Sequence, residues 1–108
     1  MRCTEQQRDG ATTVVTVVST AGLGDTTSNV TDVVSEIAAG QSGHVVLDVT
    51  GVTSLDSYEL GDLIGAQQSA AQHGSSMELR HVQPRVREVL MAMNLDKVFG
   101  LTADGHPG

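Results

Sequence analysis

Large aromatic side chains are almost missing from this chain: Tyr58 and Phe99 are the only two, and there is no tryptophan. Proteins that hold single-stranded nucleic acid usually stack bases on such rings, so that class of ligand is disfavoured. Cations are missing over a long stretch. Between Arg8 and Arg80 there is no Lys or Arg, while nine acidic residues fall there, from Asp9 to Glu78. With a formal net charge of −7, the surface repels phosphate backbones and anionic lipid and suits a basic protein partner. The remaining basic residues cluster late, at Arg80, Arg85, Arg87 and Lys97. Cys3 is the only cysteine, so no intrachain disulfide can form, and a thiol beside a mobile terminus reads as incidental. There is no secretory-type leader and no apolar run of membrane-spanning length. A soluble cytoplasmic protein is expected, without nucleic acid or membrane as partner.

What is present fits one domain of 108 residues, with a core of Val, Leu, Ile, Ala and Met. Cys3 to Gln7 can form a first strand, and Asp9-Gly10 marks a turn. The β-branched run Thr12 to Val18 favours a second strand. Gly22 to Thr26 reads as a loop. A helix starting near Thr26 or Thr27 would bury Val30, Val33, Val34, Ile37 and Ala38 and end at Gly40. His44 to Val49 is a short apolar run, suited to a strand buried on both faces. A second helix starts near Ser57, buries Leu60, Leu63, Ile64, Ala66 or Gln67, and Ala70, and closes at His73-Gly74. Met77 to Val82 alternates as a strand. Pro84 opens a third helix with Val86, Val89, Leu90 and Met93 inward. Val98 to Leu101 is a last strand or turn, and residues 103–108 read as a frayed tail. Strands alternating with helices predict an α/β single domain with a mixed sheet of four to five strands and helices mainly on one face.

Several chemistries lack their residues. No Gly-x-Ser-x-Gly elbow supports a serine hydrolase, and no Gly-rich loop cradles a phosphate. The histidines at 44, 73, 81 and 106 show no ligand spacing and read as turn or surface residues. An acidic metal site at Asp48, Asp56 and Asp62 is disfavoured because Asp48 lies within a strand. No metal, cofactor or catalytic residue is expected, and the chain does not read as an enzyme.

The informative segment runs from Val45 to Gly65. A buried strand leads through a short loop into Asp56-Ser57-Tyr58-Glu59-Leu60-Gly61, which puts Asp56 and Ser57 at a helix start. Ser57 has two readings. It can cap the helix, or it can accept a phosphate, which would meet free N–H groups and the positive end of the helix dipole. Both remain open from the residues alone.

Val45-Val46-Leu47-Asp48-Val49-Thr50-Gly51-Val52, followed by Leu55-Asp56-Ser57, resembles the signature of STAS-domain anti-sigma-factor antagonists. That signature is an "LDLSGV"-like strand end and then "DSSGLG" or "DSTGLG" at a helix start. Gln83 to Leu90 and Asn94 to Phe99 resemble the family's closing helix and its "GLDRLF"-like tail. The resemblance covers nearly the whole chain, in order and at family spacing. It implies a STAS-like fold and a partner-switching cycle. The antagonist would bind an anti-sigma factor of the histidine-kinase-like ATPase fold, be phosphorylated by it on Ser57 and let go. A PP2C-type phosphatase would reset it. Asp56, Ser57, Tyr58, Glu59 and Asp25 would make the partner contact, and the chain would be a monomer or weak dimer.

Two positions depart from the family pattern. Tyr58 and Glu59 stand where a small hydroxyl residue and Gly are usual, and the acid of a "G-x-L-D" segment is either absent or, as Asp25, shifted by one. The Tyr58-Glu59 pair also fits two alternatives: a stressosome-type STAS scaffold, or a non-phosphorylated STAS accessory subunit of a transporter.

Overall fold

A computed structural model describes residues 1–19, 30–40 and 43–99. Strands β1 (Arg2–Asp9) and β2 (Thr12–Val18) form an antiparallel hairpin. Its two-residue loop has Gly10 at φ +62°, a conformation glycine adopts without steric penalty. Helix α1 (Val30–Gly40) leads to strand β3 (His44–Gly51), helix α2 (Ser57–Gln72) to strand β4 (Ser76–Arg80), and helix α3 (Pro84–Ala92) follows. The sheet order is β1-β2-β3-β4, with β2, β3 and β4 parallel. Parallel neighbours need crossovers, and two right-handed crossovers in an unreversed strand order place their helices on the same face.

The core follows from that arrangement. Alternate residues point to one face of a strand. Val15 and Val17, Val45, Leu47 and Val49, and Met77 and Leu79 form one cluster with Val30 and Val34 of α1, Leu60, Leu63, Ala66 and Ala70 of α2, and Val86 and Leu90 of α3. The expected α/β sheet with helices on one face is therefore present, with four strands among the described residues. The opposite face is more polar than expected. Val46 is fully buried there, between Val14 and Glu78 in the register, but His44 and Asp48 are only half-buried.

Helices α1 and α2 meet closely. A Cβ on Gly65 would come within 2.7 Å of Thr31 Oγ1, and one helical turn further on, Ser35 Oγ and Ser69 Oγ are hydrogen-bonded at 2.5 Å. Helices α2 and α3 end alike. Gly74 (φ +76°) and Asn94 (φ +59°) take the left-handed conformation. The next residue's N–H then donates back into the helix, Ser75 to the Ala70 carbonyl at 2.8 Å and Leu95 to the Leu90 carbonyl at 2.8 Å. These are Schellman ends, in which orphan carbonyls find donors.

Several sequence expectations change. Cys3 does not lie on a mobile terminus: it is part of β1 and packs half-buried against the core. Burial raises its thiol pKa, and the Asp62 carboxylate adds to this against the opposing N-terminal amino group. Ile64 is only half-buried, and Met93 is exposed because α3 ends before it. Val98 and Phe99 lie in turns, and Phe99 is fully buried. The proposed helix start at Thr26 or Thr27, the Gly22–Thr26 loop, Asp25, His106 and the tail lie outside the described residues.

Candidate functional site

The carboxyl ends of β2, β3 and β4 share one edge of the sheet, where ligands of open α/β sheets gather. Beyond β3, the chain is pinned from both sides. The Asp48 carboxylate accepts from the Thr50 N–H at 3.0 Å and the Thr50 hydroxyl at 2.6 Å, a local Asx turn. Gly51 passes so near β2 that a Cβ would come within 2.7 Å of Val18 Cγ1. The Thr53 N–H donates to Ser19 Oγ at 3.1 Å, and Gln83 Nε2, at the start of α3, donates to the Thr50 carbonyl at 2.6 Å. Val52 is buried and Leu55 packs against the core. The loop therefore delivers residue 56 to a set position.

That residue is the cap. Asp56 has extended backbone, and its carboxylate accepts the Glu59 N–H at 2.8 Å, while the Asp56 N–H donates to Glu59 Oε1 at 3.0 Å. This reciprocal pair is a capping box. It corrects the reading of Ser57 as cap: Ser57 is the first helical residue, it is exposed, and its hydroxyl forms no hydrogen bond among the described residues. The Asp56-x-x-Glu59 spacing was itself the sequence signal for this.

The two residues that depart from the family pattern differ in their surroundings. Glu59 is turned inward, its side chain 17% exposed, with its second carboxylate oxygen 3.4 Å from the α-amino group of Met1. Its charge is thus shared between a backbone N–H and an amino group. Tyr58 points out and is 69% exposed. Asp56, Ser57, Tyr58 and Glu59 are thus gathered at one helix start, while Asp25 lies outside the described residues.

Asp62, one turn further along α2, serves another element. Its carboxylate accepts the Val30 N–H at 3.0 Å and the Thr31 N–H at 2.9 Å, and lies 2.8 Å from Thr31 Oγ1. It caps α1 from outside that helix, and nothing in sequence spacing announces this across more than thirty residues. The three acids weighed as a metal set therefore have three separate partners. Burial pushes the Asp48 carboxyl up, but the bonds from Thr50 and the nearby His81 and Arg80 outweigh it and hold the carboxyl below its ordinary value. Among the described residues no three metal-ligating side chains gather, and no helix is long and apolar enough to cross a membrane.

His44 lies at the other end of β3, away from Ser57. Its Nδ1 is 2.6 Å from Ser76 Oγ and its Nε2 is 2.5 Å from Glu78 Oε1, a cross-strand contact rather than a turn role. His73 closes α2, with Nδ1 2.9 Å from the Ser69 carbonyl. His81 is exposed at φ +60° directly after β4.

A family model described as "Mlab, STAS domain" matches residues 4–102. The chain belongs to the STAS-domain family. A search of curated proteins finds no match. Among solved structures, the NMR structure of the protein TM1081 is similar at a TM-score of 0.69 and 18% identity, over 90% of this chain and 78% of that one. At that identity the likeness is one of fold. In this STAS domain, then, the motif that starts α2 presents an acid as cap, an exposed serine beside it, and an exposed tyrosine in place of the usual small residue.

Proposed function

We propose that this STAS domain is an anti-sigma-factor antagonist that works as the substrate of a partner kinase, with Ser57 as phosphoacceptor. One observation carries the reading: Asp56 caps α2, and the Ser57 hydroxyl is exposed with no partner among the described residues.

In the cycle, Ser57 Oγ attacks the terminal phosphorus of ATP held by an anti-sigma factor of the histidine-kinase-like ATPase fold. The bond to ADP breaks, and the hydroxyl proton passes to a base in the kinase, which also supplies the Mg²⁺. The product carries roughly −1.5 to −2 extra charges at Ser57. The N–H groups of Ser57 and Tyr58 have no acceptor among the described residues, and a phosphate there suits them and the helix dipole. The phosphate adds bulk beside Asp56 at the edge where the partner packs, so a partner fitted closely against the bare hydroxyl is pushed off. A PP2C-type phosphatase resets the serine. Glu59, where Gly is usual, is turned inward and bonded to the Asp56 N–H, so the Ser57 hydroxyl stays the exposed group at this helix start.

Tyr58 supports a second reading, a non-phosphorylated STAS accessory subunit of a transporter, because a large ring beside the acceptor narrows the approach. Intact-mass and peptide mass spectrometry on the protein from its native host separates the two. One phosphate on the Ser57 peptide, absent in Ser57→Ala, supports the switch. No phosphate under growth or stress removes it and leaves the accessory subunit.

A further inference from the structure

On the sheet face turned away from the core cluster, three side chains of β3 and β4 are joined. His44 lies opposite Ser76 in the register, and Glu78, two residues along β4, shares their face. His44 Nδ1 is 2.6 Å from Ser76 Oγ, and His44 Nε2 is 2.5 Å from Glu78 Oε1. These groups stand at the amino end of β3, whereas Ser57 follows its carboxyl end. Nothing proposed for the Ser57 edge uses them.

The two contacts set the direction of the hydrogen bonds. An ionised carboxylate only accepts, so Nε2 of the neutral ring carries the proton and donates to Glu78. Nδ1 then holds the lone pair, and the Ser76 hydroxyl donates to it. A serine proton thus faces a base, and a carboxylate orients that base. This is the arrangement that activates a serine as nucleophile, and geometry defines it rather than chain order. The oxygen is within reach of solvent, since Ser76 is exposed.

The surroundings select the electrophile. Strands β2 and β3 contain no Lys or Arg. Glu78 is acidic, and Asp9 lies beyond Thr12 in the same row of the sheet. Arg80, further along β4, faces Asp48. A multiply charged phosphoryl donor meets net negative charge here, whereas a neutral acyl ester does not.

We propose that Ser76 is an acylation site, with His44 as its general base and Glu78 as a positioning residue. Ser76 Oγ attacks the carbonyl carbon of an activated ester, and its proton passes to His44 Nδ1. The bond from that carbon to the leaving oxygen breaks, and the leaving group takes the proton from the imidazolium. The products are an ester on Ser76, a free alcohol or phenol, and a neutral His44. An exposed serine does not exclude water as an enclosed site does, so the inference is of a modified residue and not of an enzyme that turns over.

The test treats the full chain with p-nitrophenyl acetate and locates acetyl groups by peptide mass spectrometry. The expected result is an acetyl ester on Ser76, formed about a hundredfold faster than on the other serines, within the range of general base catalysis. The rate falls in acid as His44 takes a proton. The titratable groups facing His44 are Glu78 on β4 and, two strands away, Asp9 on β1, while β2 presents Thr12 and Val14. Ser76→Ala removes the label, and His44→Gln, checked for folding by circular dichroism, reduces it to the level of the other serines. Glu78→Gln slows the reaction and moves its acid limb to lower pH, because a carboxylate favours the imidazolium. A purely structural contact would not move that limb. Acetyl groups spread evenly over the serines, or Ser76 labelled as fast in folded His44→Gln, overturn the proposal. So does a wild-type rate at Ser76 that follows pH in step with the other serines, a result that needs no variant.

Discussion

Asp62 on α2 holds the first turn of α1 through Thr31, accepting its N–H at 2.9 Å and lying 2.8 Å from its hydroxyl. A helix start needs acceptors for its free N–H groups, and here the acceptor comes from the helix that also carries Ser57. The seam continues at Gly65 and Ser69. The start of α1 and the start of α2 are therefore one mechanical unit.

Removing that link has a measurable consequence. Asp62→Ala should lower stability by about 1–2 kcal/mol, the range for loss of a cap. Urea denaturation reads the total, and amide exchange should quicken first at residues 30 to 34. Asp62→Asn, which keeps one acceptor, should lose less. Unchanged exchange in α1 would contradict the cap.

The capping box separates two adjacent residues that look alike in sequence. Asp56→Ala should lower stability by about 1 kcal/mol, while Ser57→Ala should stay within about 0.5 kcal/mol of wild type. Urea midpoints of the two variants check this. The reverse order would return the cap to Ser57 and weaken its case as a free acceptor.

Asp48 predicts a pH dependence of definite sign. Its folded pKa is below its ordinary value, so its contribution is complete at neutral pH, above the unfolded value of about 3.9. It disappears as pH falls through the lower folded value. Urea midpoints between neutral pH and strong acid should fall less steeply in Asp48→Asn than in wild type. Parallel acid limbs would show that the Thr50 bonds carry no such linkage.

Phe99 and Met93 both follow α3 but differ in burial, 1% against 57% exposed. Phe99→Ala should lower stability by about 3–5 kcal/mol, as for a buried aromatic. Met93→Gln should change it by less than about 0.5 kcal/mol. Gly65→Ala should also destabilise, since its new Cβ would meet Thr31 Oγ1 at 2.7 Å. Thermal or urea unfolding of the three variants ranks them.

Much of this was legible in the residues. The β-branched run from Thr12 to Val18, the stripe of Leu60, Leu63, Ala66 and Ala70, and Pro84 at a helix start each encode a local element, because period and backbone restriction act over a few neighbours. The family motif located the Ser57 edge. Met93 was misplaced because a helical stripe predicts burial only while the helix continues, and Asn94 ends it. His44 reads correctly as part of a strand, but its contacts with Ser76 and Glu78 are not legible because those residues are distant in sequence.

By itself, the sequence determined the element types, the single mixed sheet, the acidic surface and the serine at a helix start, all set by local pattern or by composition. Only the tertiary structure decided that Glu59 turns inward, that Asp62 serves α1, and that Gly61 has open space while Gly65 has none. Each of these depends on which groups compete for the same donor or the same volume. That competition exists only once strands and helices have packed together.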